Sequence, residues 1–161
     1  MVIHPGPAAS GIPVRCTMVS VLALRGSGAG AQVLLLRRAG PYLQGAWSYV
    51  AGHVEDGETG AQAALRELGE ETGLVPTAFY ATSFCEQVYF TAAIEIVPAF
   101  VARIAAGAEP HLNPEHSAYQ WLTVDAAANA VPFGSQRDLI AHVRREFIER
   151  TPAAVLRIDG A

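Results

Sequence analysis

A short acidic segment carries most of the chemistry that this sequence could perform. Residues 52–74 read GHVEDGETGAQAALRELGEETGL and hold six of the 15 acidic residues of the chain. Glu67, Glu70 and Glu71 recur at i, i+3 and i+4, so a helix would gather their carboxylates on one face. Such carboxylates repel one another in water, and hard oxygen ligands are what Mg²⁺ binds together with substrate phosphates. The spacing predicts a magnesium site, with a solvated acidic helix face as the alternative.

The residues around these carboxylates predict the helix that must present them. Thr59 followed by Gln62 is a capping-box pattern, and Gly73 stands where a left-handed residue ends a helix. A helix over about residues 60–72 follows from these boundaries. Its apolar residues cluster opposite the carboxylates and would pack against a core. They are Ala61, Ala64, Leu65 and Leu68.

The same segment matches the pattern G-x5-E-x7-R-E-U-x-E-E-x-G-U without departure, where U is an aliphatic residue. The matching residues are Gly52, Glu58, Arg66, Glu67, Leu68, Glu70, Glu71, Gly73 and Leu74. This pattern is the Nudix box, and the chain therefore resembles a Nudix hydrolase. The resemblance implies an α/β/α sandwich with a central mixed sheet. It also implies hydrolysis of a nucleoside diphosphate linked to another group, by attack of a metal-activated water on phosphorus.

The resemblance implies a role for each residue of the box. The implied ligands of Mg²⁺, with Mn²⁺ as a substitute, are Glu67, Glu70, Glu71 and the backbone carbonyl of Gly52. Glu67 is the first candidate for the general base that deprotonates water. Arg66 and Glu58 would pair with carboxylates and fix the geometry between loop and helix, although an ordinary surface salt bridge is the alternative.

A further carboxylate is expected outside the box. Glu115 lies in Asn-Pro-Glu-His, in a loop just before a strand, where related enzymes often place a glutamate that binds a second metal or deprotonates water. Glu115 is our choice for that role. Glu86 is the competing candidate, and the sequence leaves the choice between them open.

Three arginines are candidates for binding substrate phosphates. Arg37 and Arg38 end a predicted strand, so alternation directs only one of them to the site. A guanidinium there would hold phosphate oxygens bidentately, with surface exposure as the alternative for each residue. Arg137, in Ser-Gln-Arg at the start of the last predicted helix, would position the ligand near a helix N-terminus, which favours anions.

Stretches outside the box resemble one branch of the family, the dATP and dihydroneopterin triphosphate pyrophosphohydrolases. Residues 47–55, WSYVAGHVE, are close to the W-x-x-V-T-G-x-x-E form of that branch, and residues 115–122, EHSAYQWL, to its E-H-x-x-Y-x-W. This resemblance implies cleavage of a nucleoside or pterin triphosphate to a monophosphate and pyrophosphate. The alternatives are another linked diphosphate, such as an ADP-sugar or dinucleoside polyphosphate, and a nucleotide-sensing module that does not catalyse hydrolysis.

The remaining pattern predicts a single α/β domain over residues 1–161, with an N-terminal extension (1–13) and a C-terminal tail (151–161). Runs of β-branched, aromatic and aliphatic residues predict strands. We expect them at residues 14–24, 32–38, 47–50, 79–90, 94–104 and 117–122. Further helices are expected at residues 124–129 and 135–150, with a loop at 107–114.

Composition and charge limit the classes of molecule that the chain is expected to bind. The net charge is −4 and the basic residues form no run, so a small phosphorylated substrate is favoured over a nucleic acid. No residue stretch is long and uninterrupted enough to span a bilayer, and no leader pattern is visible. The two cysteines, Cys16 and Cys85, form no C-x-x-C pair and favour reduced thiols. A cytoplasmic enzyme is expected, and the oligomeric state is left open.

Overall fold

The computed structural model describes residues 11–160 and contains an eight-stranded sheet with helices on both faces. The strands are β1 (Val14–Arg15), β2 (Met18–Arg25), β3 (Gln32–Arg38), β4 (Trp47–Ser48), β5 (Val50–His53), β6 (Ala78–Phe90), β7 (Ala93–Arg103) and β8 (His116–Thr123). The α-helices are α1 (Gly60–Thr72), α2 (Val124–Ala130) and α3 (Gly134–Val143). Most of the predicted N-terminal extension, residues 1–10, lies outside the described residues. Within residues 11–160, no helix is long and apolar enough to cross a membrane.

The sheet is mixed. Strand β7 pairs in parallel with β1 and with β2, and antiparallel with β6. Strand β2 also pairs antiparallel with β3 and β5, while β3 pairs antiparallel with β4 and β8. With helices on both faces, this arrangement confirms the predicted α/β/α sandwich and its central mixed sheet.

Each face of the sheet buries its own hydrophobic core. Along β2, Val19 and Val21 belong to the core beneath α1, whereas Leu22 and Leu24 belong to the core beneath α2 and α3. This alternation explains why β2 is an almost unbroken apolar run, since a strand covered on both faces buries every side chain. We call the two sides the α1 face and the α3 face.

Helix α1 forms at the residues predicted from its capping signals. The Thr59 hydroxyl accepts a hydrogen bond from the Gln62 N–H at 3.2 Å, and the Gln62 side chain accepts one from the Thr59 N–H at 2.9 Å. Gly73 ends the helix in the left-handed conformation, with φ of 66°. The predicted boundaries, 60–72, are confirmed.

The predicted strand over residues 14–24 is interrupted at Thr17. Its backbone N–H and hydroxyl donate to the Glu95 carboxylate, at 2.7 and 2.8 Å, instead of joining a strand ladder. The predicted strand at residues 47–50 is likewise divided at Tyr49, because β4 pairs with β3 whereas β5 pairs with β2. Local sequence propensity reveals neither the buried carboxylate of Glu95 nor the change of partner strand at Tyr49.

The last predicted helix, residues 135–150, is α-helical only to Val143. Residues Arg144–Ile148 form a π-helical turn. This wider turn buries Phe147, which is 1% exposed, and leaves its carbonyl to accept a hydrogen bond from the Arg103 guanidinium. A tertiary contact therefore changes the helix geometry where the sequence periodicity continues unchanged.

The C-terminal tail is attached to the sheet. After a 3₁₀ turn at Ala154–Leu156, the Ile158 N–H donates to the Phe79 carbonyl at 2.9 Å, and Ile158 packs against the core on the α1 face. The tail therefore covers part of β6, and Arg157 forms an antiparallel bridge with Tyr80 of that strand.

Candidate active site

Arg66 on α1 binds the acidic groups of the box together. Its guanidinium donates to both oxygens of Glu58, at 2.7 and 3.1 Å, which is a bidentate pair. It also donates to Glu67 at 2.8 Å, to Glu70 at 3.2 Å and to the His53 carbonyl at 2.8 Å. These acceptors raise the pKa of Arg66, with Glu58 and then Glu67 as the main causes. The end of β5 is thereby fixed to the middle of α1.

Glu58 shapes the turn that leads into the helix. Besides binding Arg66, its Oε2 accepts a hydrogen bond from the Glu55 N–H at 2.9 Å. The hydrogen bond from Arg66, followed by that from Glu55, holds the pKa of the Glu58 carboxyl below its usual value. The expectation that Glu58 and Arg66 order the loop and the carboxylates agrees with this geometry.

Gly52 lies directly beneath the Glu67 carboxylate. A Cβ atom added at Gly52 would stand 2.0 Å from Glu67 Cδ, a distance that real side chains do not reach. The Glu67 side chain is only 14% exposed, and this burial raises its pKa despite the opposing effect of Arg66. Only glycine at position 52 therefore allows the carboxylate to lie against the end of β5.

Glu71 is the most buried carboxylate of the helix. It is 3% exposed, and its Oε2 has no hydrogen-bond partner among residues 11–160. The nearest cationic candidate is Nε2 of His116, at 3.7 Å, which is too long for a hydrogen bond. Burial, together with the charges of Glu67 and Glu115, raises the pKa of Glu71 to about 8. A cation at this point would remove a large electrostatic penalty.

The structure separates the two candidates for the additional carboxylate. Glu115 directly precedes His116, whose Nε2 lies 3.7 Å from Glu71 Oε2, and the Glu115 charge adds to the effect of burial in raising the pKa of Glu67 and Glu71. Its backbone carbonyl accepts a hydrogen bond from the Ala39 N–H at 2.9 Å, which holds the loop against the end of β3. Glu86 instead lies on the α3 face. The structure thus brings Glu115 to the carboxylates, and its catalytic role stays a prediction.

Glu86 belongs to a buried polar cluster that the sequence reasoning missed. Its carboxylate accepts hydrogen bonds from the Ser20 hydroxyl at 3.3 Å, from the Tyr49 hydroxyl, and from the Ser135 hydroxyl at 3.0 Å. Burial, and then the Glu86 charge, raise the pKa of Tyr49. A polar Ser20 within the otherwise apolar strand β2 was the available signal for such a cluster.

The two arginines at the end of β3 have different surroundings. The Arg38 Nε donates to the Tyr42 carbonyl at 3.0 Å. Its charge partly opposes the rise in the pKa of Glu71 and adds to the effect of burial in lowering the pKa of His116. Arg38 is therefore on the carboxylate side. Arg37 is exposed, with its guanidinium close to Gly45. The geometry favours Arg38 of the two for phosphate contact.

Arg137 contacts the backbone at the end of α2 rather than any carboxylate. Its Nη1 donates to the Val131 carbonyl at 3.1 Å. The neighbouring Gln136 is 8% exposed and donates to the Ser48 hydroxyl at 2.9 Å, which fixes α3 against β4. A substrate contact by Arg137 stays a prediction.

The donor set of the box fits a hard divalent cation. Within residues 11–160, no three His, Cys, Asp or Glu side chains already converge at metal-binding spacing, since Arg66 holds Glu67 and Glu70. Nevertheless the unpaired oxygen of Glu71 and the carboxylates around it are the oxygen ligands that Mg²⁺ prefers. A bound cation would satisfy that oxygen and offset the repulsion between the carboxylates.

Comparison with known proteins identifies the same family as the box. The profile of the NUDIX domain matches residues 15–150. The chain is 35% identical over 124 residues to a dihydroneopterin triphosphate diphosphatase of Escherichia coli (strain K12), covering 67% of this chain and 79% of that protein. It is 36% identical over 125 residues to an octanoyltransferase of Myxococcus xanthus, covering 76% of this chain but 35% of that protein. The chain spans about a third of that relative, so nothing about acyl transfer follows.

The fold is also similar to that of solved structures. A C. elegans Ap4A hydrolase, determined as a binary complex, superposes with a TM-score of 0.71 at 21% sequence identity. The match covers 81% of this chain and 96% of that one. At this identity the likeness shows the shared architecture and leaves the substrate open.

Proposed function

This chain belongs to the Nudix family of hydrolases, whose members act on phosphoric anhydride bonds, and we propose that it is a Mg²⁺-dependent pyrophosphohydrolase. Its substrate would be a nucleoside or pterin triphosphate, and its products a monophosphate and pyrophosphate. The observation that carries this proposal is the group formed by Gly52, Arg66, Glu67 and Glu71.

A divalent cation held by Glu67, Glu70 and Glu71, with the Gly52 carbonyl nearby, would neutralise phosphate charge and lower the pKa of a bound water. Mn²⁺ is expected to substitute for Mg²⁺. Glu115, in the loop before β8, would contribute a further ligand. The family resemblance implies these assignments, and the donor chemistry and the unpaired Glu71 oxygen support them.

Glu67 is suited to take the proton of the attacking water. Its partial burial raises the pKa of the carboxyl, which makes the carboxylate a better proton acceptor than an exposed glutamate. Arg66 donates to Glu67 Oε1 at 2.8 Å and limits its rotation, while Glu58 fixes Arg66 from the other side. The base is thereby aligned before substrate arrives, which lowers the entropic cost of the reaction.

Arg38 is suited to bind phosphate oxygens. It is positively charged, lies on the carboxylate side of β3 and is linked to the loop through the Tyr42 carbonyl. A guanidinium there would offset the negative charge that develops during cleavage and would orient the chain of phosphates. Arg137 is expected to contribute more weakly, since one of its donors already serves the Val131 carbonyl.

Two observations support a triphosphate as the substrate. The identity to the E. coli dihydroneopterin triphosphate diphosphatase extends over 67% of this chain, beyond the box itself. In addition, residues 47–55 and 115–122 resemble the sequence patterns of the triphosphate branch, with Ala51 in place of its Thr. Both stretches border the site, at the end of β5 and the beginning of β8.

Product analysis tests this proposal. The purified chain, freed of metal with a chelator and resupplied with Mg²⁺, should convert a triphosphate to a monophosphate and intact pyrophosphate, as seen by ³¹P NMR. Successive release of orthophosphate would contradict the predicted cleavage between the α and β phosphates. Much higher kcat/KM for ADP-ribose or a dinucleoside polyphosphate would refute the triphosphate assignment, and hydrolysis of none of them would favour a sensing module.

A further inference from the structure

Glu86 is a buried carboxylate without a cationic partner. It is 8% exposed, and within residues 11–160 no Arg or His side chain lies within ion-pairing distance of it. Its hydrogen-bond donors are the neutral hydroxyls of Ser20, Tyr49 and Ser135. Removing a carboxylate from water is costly unless donors replace the lost hydration, and three neutral hydroxyls replace it only in part.

The hydrogen-bond directions in this cluster create a pair of acceptors. A carboxylate only accepts, so the proton of the Ser135 hydroxyl points to Oε2 of Glu86. The lone pairs of the Ser135 oxygen then remain free to accept. Among residues 11–160, Glu86 Oε2 accepts this single hydrogen bond. Glu86 Oε2 and Ser135 Oγ are thus two adjacent acceptors 3.0 Å apart. Ser135 is half-buried at the start of α3, where a ligand can reach it.

An apolar surface runs outward from this acceptor pair. Val88 and Phe90 follow Glu86 at two-residue spacing on β6 and therefore share its face of the sheet. Exposure rises along this series from 8% at Glu86 to 40% and 51%. The Phe90 ring meets the Tyr42 ring edge to face, with 5.8 Å between centroids. A flat ring with an apolar face and a polar edge matches these surroundings.

Tyr42 links this surface to the carboxylate site. Tyr42 supplies the carbonyl that binds Arg38, and the Arg38 charge acts on Glu71. In addition, Ser20 on β2 pairs with Ala51 on the neighbouring strand β5, and Ala51 directly precedes Gly52. A ligand whose phosphates lie near Arg38 could therefore extend its ring toward Glu86.

We propose that Glu86 and Ser135 select a ring that carries an amino group beside a ring N–H, the 2-amino-oxo edge shared by guanine and pterin. The amino group and the ring N–H, as two adjacent donors, would meet the two adjacent acceptors Glu86 Oε2 and Ser135 Oγ. Adenine offers one donor beside an acceptor nitrogen, so one of its contacts would be repulsive. This selection rests on the proposed triphosphate hydrolysis, favours the pterin over the adenine substrate of the branch that the sequence resembles, and assigns Glu86 a role in specificity rather than in catalysis.

Three nucleotides test the contributions of the amino group and the ring N–H one at a time. GTP carries both, ITP lacks the amino group, and ATP reverses the ring position from donor to acceptor. The wild-type chain should show kcat/KM decreasing from GTP to ITP to ATP, with about a 10- to 100-fold difference between GTP and ATP. Equal values for the three, or a preference for ATP, would overturn the inference without any variant.

The substitution Glu86→Gln keeps the shape and removes the second acceptor oxygen. We expect kcat/KM for GTP to fall about 10-fold or more, while that for ATP changes less than about 2-fold. The control Glu149→Gln, on an exposed residue near the C-terminal turn, should leave both values unchanged. A parallel fall for GTP and ATP in Glu86→Gln would mean that the cluster is only structural.

Calorimetric titration with the α,β-methylene analogues of GTP and ATP distinguishes failure of this inference from failure of the proposed function. These analogues bind without being cleaved. If the chain hydrolyses no triphosphate but binds the GTP analogue more tightly, the hydrolytic proposal fails and the selection survives. Equal affinity for both analogues refutes the selection, even where pyrophosphate release is observed.

Discussion

The molecule holds two groups of buried or half-buried carboxylates, and they are stabilised in opposite ways. On α1, Glu67 and its neighbours surround the guanidinium of Arg66. On the α3 face, Glu86 and Glu95 are 8% and 9% exposed and receive hydrogen bonds only from neutral donors. The two groups therefore differ in the kind of partner that offsets their negative charge.

The first group has excess negative charge and an unpaired oxygen, so it is suited to a cation. Its carboxylates raise one another's pKa, as at Glu71, and a metal would remove that repulsion. The second group is spread over separate strands, and its oxygens already accept hydrogen bonds from hydroxyl or amide groups. Such acceptors suit the N–H donors on the edge of a neutral ring, because these hydrogen bonds depend on direction rather than on net charge.

The largest expected effect is the loss of the candidate base. Glu67→Gln keeps the size of the side chain but cannot take a proton, so kcat should fall about 1000-fold. Steady-state assays with saturating Mg²⁺ would measure it. The matched control is Glu55→Gln in the preceding turn, whose side chain is 68% exposed and should contribute little. Near-normal turnover of Glu67→Gln would remove it from the base role.

A substitution at Gly52 should disturb the same carboxylate without touching its charge. Gly52→Ala would place a Cβ 2.0 Å from Glu67 Cδ and displace the group, so kcat/KM should fall about 100-fold. Gly69→Ala on the same helix is the control, because open space surrounds that position. The control should keep activity and stabilise α1 by up to about 1 kcal/mol. Equal activity of both variants would contradict the close approach of Glu67 to Gly52.

Glu115→Gln should have a smaller effect, of about 10- to 100-fold on kcat with little change in KM. This pattern is expected when an interaction is made mainly in the transition state. Glu86→Gln serves as the comparison, since its effect should depend on the ring of the substrate. If Glu86→Gln instead lowered kcat equally for every triphosphate while Glu115→Gln was mild, the catalytic carboxylate would be the one on the α3 face.

The smallest of these effects is on stability and appears only without metal. The pKa of Glu71 is raised to about 8, above its unfolded value, so the native state holds an extra proton between those two values. Stability should therefore decrease as the pH rises toward about 8. Glu71→Gln cannot ionise and should avoid this loss, gaining up to about 5 kcal/mol over wild type at high pH. Denaturant melts in chelator would measure the gap, and an equal gap at pH about 5 would contradict it.

Sequence patterns predicted the local parts of the site well. Thr59, Gln62 and Gly73 determine the helix boundaries through contacts within a few residues, and the box spacing places Glu67, Glu70 and Glu71 on one side of α1. Strand β3 was also predicted at its observed residues, because its apolar run ends at charged residues.

The parts that depend on distant segments could not be predicted. Thr17 leaves its strand because Glu95, 78 positions away, binds its N–H and hydroxyl. The choice between Glu115 and Glu86 required knowing that β6 directs Glu86 to the α3 face, beyond a register shift between Ala81 and Cys85. Four steps along β6, from Ala81 to Cys85, oppose only two steps along β7, from Phe100 to Pro98, so the number of extra residues decides the face of every later side chain and local alternation does not reveal it.

Binding of Mn²⁺ tests the contrast between the two carboxylate groups most directly. Electron paramagnetic resonance would measure the free ion in titrations of wild type, Glu67→Gln and Glu86→Gln, without any substrate. We expect Glu67→Gln to weaken Mn²⁺ binding about 10- to 100-fold and Glu86→Gln to leave it unchanged. Weaker binding in Glu86→Gln, with normal binding in Glu67→Gln, would place the metal on the α3 face and contradict this account.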